Sequence, residues 1–455
     1  MDLGTTSISG MLFDSDADEV IWSGSAASEA GLRPTRSWEN IQDPRKILAR
    51  AQEMLAHMRT GDRTADAVCI TGQMHGVLYV DSSGNPVSPL YTWLDQRGSQ
   101  PYDDSPASAL KRTYAEAAST ISGHRLSSGF GLTTHFYNMR NGLVPREAAH
   151  LCTVMDYAAM RLAGSDFPVT DPTNAAGMGA FLPVGSSFDG EALERLGIDL
   201  RLLPEVAIGP DLVKSAGDRL LVTGSVGDNQ ASFLGAVRDP ERSLLVNVGT
   251  SGQISIFQKE SGDLPGLDCR PFPEGYLIVG ATLSGGKSLA MLADFFRGVV
   301  EQLGGTPPGD IYERINKLVL ETEESPEGPS VDTRFAGVRD SDSPAGGRIE
   351  GITLTNFTPA RLAAGFIQGV ANELHALYER LPAAVRQNHP VLVGSGNSIR
   401  NNPAMRVLLS RTFGSERLLV PTHPEEAAFG AALLAALRSG HTRTMRDAMS
   451  HVSYD

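Results

Sequence analysis

The chain has 455 residues, more than one compact core accommodates, so two or more domains are expected. Hydrophobic residues make up 41% of it and charged residues 20%, the balance of a soluble globular protein rather than a disordered or fibrous one. A net charge of −14 argues against nucleic acid and anionic membrane as partners, since both call for clustered Lys and Arg, but it leaves a nucleotide open because backbone amides and a metal ion can hold phosphate.

The first predicted element is a hairpin. Asp2-Leu3-Gly4-Thr5-Thr6-Ser7 runs into the strand-like Ile8-Ser9-Gly10-Met11-Leu12-Phe13. Asp43 and Pro44 then open a helix with Ile47, Leu48, Ala51, Met54, Leu55 and Met58 at helical spacing. Ala67-Val68-Cys69-Ile70 reads as a buried strand ending in Thr71-Gly72-Gln73-Met74-His75-Gly76. A second hairpin follows: Val77 to Val80, a Ser82-Ser83-Gly84-Asn85 turn, and Val87 to Trp93. Residues 105–165 read as mostly helical, and 185–225 as loops with short helices.

A polar stretch at 238–243 precedes a second copy of the opening pattern, Asn247-Val248-Gly249-Thr250-Ser251-Gly252 followed by Gln253-Ile254-Ser255-Ile256-Phe257. The expected domains are therefore 1–240 and 241–455. Residues 303–310 and 321–348, rich in Gly, Pro, Ser and acid, read as surface loops. Two strand–turn–helix units close the chain, one at Pro390 to Asn397 and one at Leu418 to Leu437, where Gly430 would let the helix approach a neighbour closely. Cys69, Cys152 and Cys269 are odd in number and far apart, which suits a reducing cytoplasm rather than a disulfide framework or zinc site. No apolar run reaches the roughly 18–20 residues of a membrane span, and no signal peptide is legible.

Four groups of residues carry possible chemistry, and each has a plain structural reading. A tight Gly turn with hydroxyls and free N–H groups suits phosphate, and two copies in matching strand contexts favour that over an ordinary turn. Gly227-Asp228-Asn229-Gln230 places a carboxylate either as a helix cap or as a proton acceptor for an attacking hydroxyl. Gln73-Met74-His75 with Trp93-Leu94-Asp95-Gln96-Arg97 suits a sugar, polar edges meeting hydroxyls and an aromatic face meeting the ring; a self-satisfied surface hairpin explains it equally. Gly394-Ser395-Gly396-Asn397, with Asn401 and Asn402 beyond, is a strand-to-helix turn that could admit a base or ribose. Ala281 to Ser288 imitates a P-loop, with Ala in place of the first Gly. That reading would leave both Gly-Thr turns unexplained, and no apolar strand ending in Asp follows it.

Taken in order, these motifs resemble the FGGY carbohydrate kinases, and among them the sedoheptulokinase-like members, over nearly the whole chain. Thr170-Asp171-Pro172-Thr173-Asn174-Ala175-Ala176-Gly177 and Glu426-Ala427-Ala428-Phe429-Gly430-Ala431-Ala432 complete the set. The resemblance implies an α/β, two-lobed actin-like ATPase fold, each lobe built on a ribonuclease-H-like mixed sheet flanked by helices, with ATP in the cleft. It implies Asp228 as general base, with Asp2 and Asp228 near Mg2+. Gly4, Thr5, Thr6, Gly249, Thr250 and Ser251 fall to the phosphates, Gly285 to the start of the nucleotide-contacting helix, and Gly394, Ser395, Gly396, Asn397 and Asn401 to adenosine. Gln73, Met74, His75, Trp93, Asp95, Arg97 and Asn229 fall on the sugar side, with Thr134 or His135 reaching it as well.

The expected activity is ATP-dependent phosphorylation of a primary hydroxyl on a ketose, sedoheptulose first, with xylulose or another polyol or sugar as the alternative. A non-catalytic sugar- and ATP-binding regulator is the reading from a different class. The expected partners are the sugar and ATP, and a homodimer is left open. Two departures from the family pattern stand out. Only Met1 precedes Asp2 where the family has a full strand, so an upstream extension is expected to raise stability and lower the KM for ATP. Arg361-Leu362-Ala363-Ala364-Gly365 differs from the signature helix of the second lobe.

Overall fold

Asp2 is held between two strands, opposite Ser9 in an antiparallel pair and Thr71 in a parallel one. This computed structural model describes residues 1–101, 112–121, 126–215, 220–262, 264–321, 328–337 and 346–455. The chain divides into two units: Met1–Gly235 with Arg270–Glu274 and Glu425–His451, and Ala236–Cys269 with Gly275–Pro424 and Val452–Asp455.

The first unit opens with β1 (Asp2–Leu3), β2 (Ser7–Asp14), β3 (Glu19–Ala27), α1 (Pro44–Met58) and β4 (Ala67–Gly72). Asp43 caps α1 by accepting from the Arg45 N–H at 2.9 Å, and Pro44 occupies its first position. The apolar face of α1 is buried through Ile47, Ala51, Met54, Leu55 and Met58. Gly10 lets it lie directly on β2: a Cβ there would fall 2.2 Å from Met58 Cε.

Next come α2 (Gly131–Arg140), α3 (Val154–Leu162), α4 (Pro172–Met178), β5 (Lys214–Ser215), β6 (Leu221–Ser225) and α5 (Asp228–Ala236). The sheet order is β5-β6-β4-β1-β2-β3. Its faces are packed by a cluster that includes Leu3, Ile8, Ile47, Ile70, Met155 and Val222.

The second unit repeats the plan. Its sheet contains β7 (Ser243–Val248), β8 (Gly252–Gln258), β9 (Asp268–Phe272) and β10 (Gly275–Ala281). α6 (Gly286–Gln302), α7 (Pro359–Tyr378), β11 (Val391–Ser395), α8 (Asn397–Arg400), α9 (Pro403–Thr412) and β12 (Leu418–Leu419) follow. The sheet order β9-β10-β8-β7-β11-β12 contains the same arrangement as the first: two antiparallel neighbours on one side of the central strand and parallel ones on the other.

The last long helix, α10 (Glu426–Arg438), counts with the first unit, so the contiguous second lobe expected over 241–455 gives up this segment and 270–274. α10 packs on β2 and β4, and it crosses α5 where two glycines meet. A Cβ on Gly430 would lie 1.8 Å from the Ala231 carbonyl oxygen, and one on Gly235 would lie 2.0 Å from that of Glu426. The close approach expected of Gly430 is therefore made, and it fixes the helix that begins at Asp228.

Two local expectations are revised. Val77 and Tyr91 do exchange backbone bonds, but Leu78–Val80 pairs along its length with His150–Cys152, and Leu90–Tyr91 pairs with Ile41–Gln42. Pro86 and Pro89 cannot donate to a ladder, so a regular second hairpin arm does not form. Within the expected loop at 321–348, Ser330–Asp332 pairs antiparallel with Arg348–Glu350. Residues 322–327 and 338–345 of that loop, and 105–111 and 122–125 of the stretch read as helical, lie outside the described residues.

Candidate active site

In the first unit, the turn between β1 and β2 is joined to the residues expected on the sugar side. The Thr5 carbonyl accepts from Gln42 Nε2 at 2.7 Å and from Ser28 Oγ at 3.2 Å. Its hydroxyl accepts the indole N–H of Trp93 at 3.0 Å and lies 3.5 Å from Gln73 Oε1. Gln73 is buried and donates to Gln42 Oε1 at 2.8 Å, so Thr5, Gln42, Gln73 and Trp93 form one connected group. Trp93 keeps 45% of its surface exposed beside this group, enough to present a ring face.

Asp228 is the first residue of α5, where backbone N–H groups point outward and favour negative charge. Burial nonetheless raises its carboxyl to about 6, against the opposing pull of the Asn229 and Met74 backbone N–H groups and the Arg270 guanidinium. Asp2 is raised further, to about 7, first by burial and then by the charge of Asp228, with Glu425 adding to it. A buried carboxylate raised further by the charge of a second one marks a place where negative charge is under-compensated. Met74 packs against the residue before Asp228: a Cβ on Gly227 would lie 2.7 Å from its sulfur. Asn229 accepts from Arg270 Nη1 at 3.1 Å.

His75 takes a left-handed backbone conformation, φ +75°, uncommon for a residue with a Cβ and costing on the order of 1–2 kcal/mol. Two contacts hold it there. Its ring stacks on Phe130 with centroids 4.6 Å apart, and its Nδ1 lies 2.7 Å from the Gly177 carbonyl, so the Nδ1–H tautomer donates.

Asp95 and Arg97 are placed differently from the rest of the sugar-side set. Asp95 is fully buried. Its oxygens accept from the Asn40 N–H at 3.0 Å, the Arg97 N–H at 3.0 Å, and Arg97 Nε and Nη2 at 2.7 and 3.1 Å. Arg97 also donates to Asn138 Oδ1 at 2.6 Å and lies 3.9 Å over the Tyr91 ring. The pair braces the segment that carries Trp93. Thr134 and His135 are likewise buried inside α2. His135 Nδ1 pairs with Tyr79 Oη at 2.8 Å, and burial pushes its imidazole down to about 4, so it stays neutral at physiological pH.

The second unit builds its own turn. Asn247 donates to Ser395 Oγ at 2.7 Å, tying β7 to β11 just before Gly249. Gly396, at φ +86°, approaches so closely that a Cβ would lie 2.7 Å from the Val248 carbonyl oxygen. The N–H groups of Gly285, Gly286 and Lys287 donate to the carbonyls of Thr250, Gly249 and Thr250 at 3.2, 2.9 and 3.2 Å. A P-loop would aim such groups at phosphate; here they support the Gly-Thr-Ser turn. Gly249, Thr250, Ser251, Gly285, Ser395 and Gly396 are thus brought together, with Gly394 next to the end of β11 and Asn397 opening α8. Asn401 lies at the far end of α8, bonded through its N–H to the Asn397 carbonyl at 3.0 Å.

Gln42, Asn40, Phe130, Arg270 and Thr173 were not expected at the site. Thr173 accepts the Gly227 N–H at 2.8 Å and stands in the Thr170–Gly177 motif, so it carried a local signal. The others meet the site only through long-range contacts.

Residues 1–235 match the model of the N-terminal domain of the FGGY family of carbohydrate kinases, and the chain belongs to that family. It is 25% identical to a sedoheptulokinase of Homo sapiens over 96% of this chain and 97% of that protein. It is 23% identical to a xylulose kinase of Staphylococcus xylosus, covering 96% and 90%, and 26% identical to a glycerol kinase of Shewanella baltica, covering 97% and 90%. Among solved structures, xylulose kinase from Rhodospirillum rubrum superposes with a TM-score of 0.85 at 20% identity, covering 100% of this chain and 92% of that one. Plasmodium falciparum glycerol kinase with ADP gives 0.80 at 17% identity, covering 99% and 92%. The fold is the two-lobed actin-like ATPase fold, and the kinases of this family phosphorylate carbohydrates with ATP. Among the described residues, no helix is long and apolar enough to cross a membrane.

Proposed function

We propose that this kinase transfers the γ-phosphoryl group of ATP to a primary hydroxyl of a ketose, with Asp228 as general base. The observation that carries this reading is the pair Asp2 and Asp228, two partly buried carboxylates raised to about 7 and about 6 at the start of a strand turn and of a helix. A base near 6 is mostly ionised at neutral pH and still basic enough to take the proton as the bond to phosphorus forms. In the step, the hydroxyl oxygen bonds to the γ-phosphorus, the bond from that phosphorus to the bridging oxygen of ADP breaks, and the hydroxyl proton passes to Asp228.

Two hard-oxygen carboxylates with under-compensated charge fit Mg2+, which binds one or two carboxylates and completes its shell with phosphate and water. Asp2 and Asp228 would hold the ion, which supplies positive charge to the phosphate oxygens. In the first unit Gly4, Thr5 and Thr6 serve phosphate oxygens. In the second, Gly249, Thr250 and Ser251 do the same, while Gly285, Gly394 to Asn397 and Asn401 serve the rest of the nucleotide. Gln73, Met74, His75, Trp93 and Asn229 contact the sugar. Asp95 and Arg97 act through the position of Trp93.

Sedoheptulose is the preferred substrate, supported by similarity to sedoheptulokinases over almost their full length. D-xylulose is the second reading, supported by relatives and solved structures named as xylulose kinases at comparable identity. ADP release measured against a panel of ketoses, polyols and aldonates separates these readings. Sedoheptulose should give the highest kcat/KM; a higher value for xylulose would replace it, and no stimulation by any sugar would remove the enzyme reading.

A further inference from the structure

β6 does not run straight into α5. Its pairing with β4 slips between Val222 and Ser225, and Gly224 sits at φ +79°, so two residues of β6 oppose one of β4. Such a bulge re-aims the chain and leaves carbonyls outside the ladder. Here the Thr223 and Ser225 carbonyls are taken by one side chain from far along the sequence. Arg438, at the last turn of α10, donates from Nη1 to Thr223 O at 2.9 Å and to Ser225 O at 3.0 Å. Its Nη2 is bonded to Asp171 Oδ2, and both side chains are nearly fully buried, at 5% and 7% exposure.

The same few residues are held from the other side. Ser225 Oγ donates to Asp156 Oδ1 at 2.5 Å and accepts from Asn174 Nδ2 at 2.9 Å. The Gly227 N–H donates to Thr173 Oγ1 at 2.8 Å. Asp171, besides holding Arg438, caps α4 by accepting the Thr173 N–H at 2.8 Å. The bonds to Thr223, Ser225 and Gly227 all fall on the connection that delivers Asp228.

We propose that Arg438 is a positioning residue for Asp228: paired with Asp171, its guanidinium clamps the Thr223 and Ser225 carbonyls and so sets where the first residue of α5 points. This rests on the reading of Asp228 as the base. A buried ion pair is a poor device for stability alone, because desolvation offsets most of its attraction and apolar residues of similar size do as well. A forked donor that spans two carbonyls and a carboxylate suits geometry instead.

The test is the single-turnover rate of phosphoryl transfer from ATP, with sedoheptulose and with D-xylulose, alongside KM values, pH profile and melting temperature. The double variant Arg438→Met with Asp171→Asn removes the clamp without stranding a buried charge, and Asn keeps the cap. It should lower the single-turnover rate about 10- to 100-fold, as expected for a displaced catalytic group. KM for ATP and sugar should stay within about two-fold, and the acid limb of the pH profile should not move. Arg438→Lys, which keeps the charge and part of the bonding, should recover a clear part of the rate; it also decides the matter if the double variant does not fold. A folded double variant, or a folded Arg438→Lys, at the wild-type rate overturns the clamp, as does a rate lost only in proportion to lost folded protein. Asp228→Asn is run in parallel. If it retains turnover, or if the wild type phosphorylates no member of the panel of ketoses, polyols and aldonates, the reading of the base falls and the clamp with it. If Asp228→Asn is inactive while the clamp variants are unimpaired, only the clamp falls.

Discussion

Trp93 donates its indole N–H to the Thr5 hydroxyl at 3.0 Å, across 88 positions of sequence. One side chain expected at the sugar and one expected at the phosphate are therefore mechanically joined. Trp93→Phe keeps an aromatic face and removes the donor. A single hydrogen bond is worth ~1 kcal/mol, so kcat/KM should fall about five-fold. If the join matters, KM for ATP should rise together with KM for the sugar; a change confined to the sugar would show that the bond does not couple the two.

Asp2 and Asp228 set the sign of a pH effect. Both hold protons more tightly in the folded protein, at about 7 and about 6, than free carboxyls do. Their stabilising contribution is complete below about pH 4 and is lost as pH rises through 6 and 7. Asp2→Asn cannot ionise. Without nucleotide or metal it should be more stable than wild type at pH 8, by on the order of 1–2 kcal/mol given the partial exposure of the site, and the gain should vanish near pH 4. Thermal melts across that range check the order; a less stable variant at pH 8 would contradict the account.

Asp95 and Arg97 offer a contrast between bracing and binding. Asp95→Asn leaves a buried guanidinium without its carboxylate, a change that typically costs ~3–5 kcal/mol. The melting temperature should fall sharply. In protein that remains folded, KM for the sugar should rise no more than in Trp93→Phe. A large rise in KM with unchanged melting temperature would return Asp95 to the sugar.

Gly430 tests the crossing of α5 and α10. Gly430→Ala places a Cβ 1.8 Å from a backbone oxygen, and no flexible side chain can move aside. Overpacking of this kind costs ~1–3 kcal/mol. Because the displaced helix begins at Asp228, turnover should fall beyond what lost folded protein explains. A melting temperature equal to wild type would mean that the helices separate freely.

Much of the architecture was legible because its signals are local. The cap at Asp43, the apolar spacing of α1, the two Gly-Thr turns and the small residue at Gly430 each lie within a few positions of what they cause. The pairing of Leu78–Val80 with His150–Cys152 was not legible, since a strand carries no mark of a distant partner. The same holds for Gln42 at the Thr5 carbonyl and for Arg438 at Ser225, 213 positions away. The bond between Asp95 and Arg97 was not legible either, for a chemical reason. Polar groups beside an aromatic ring look alike in sequence whether they bind a sugar or one another. At the P-loop imitation, Ala281 to Ser288, the N–H groups of Gly285, Gly286 and Lys287 turn to the carbonyls of Gly249 and Thr250, partners more than 30 positions away that the local motif does not mark.

The central claim is that Asp228 takes the proton from the acceptor hydroxyl. The most direct measurement is sugar-dependent ADP release by Asp228→Asn beside wild type at pH 7.5, with ATP binding followed by calorimetry. Loss of a general base should lower kcat by ~10²–10⁴-fold, while the affinity for ATP without metal stays within a few-fold. An Asp228→Asn enzyme that releases ADP at a rate close to wild type would contradict the account.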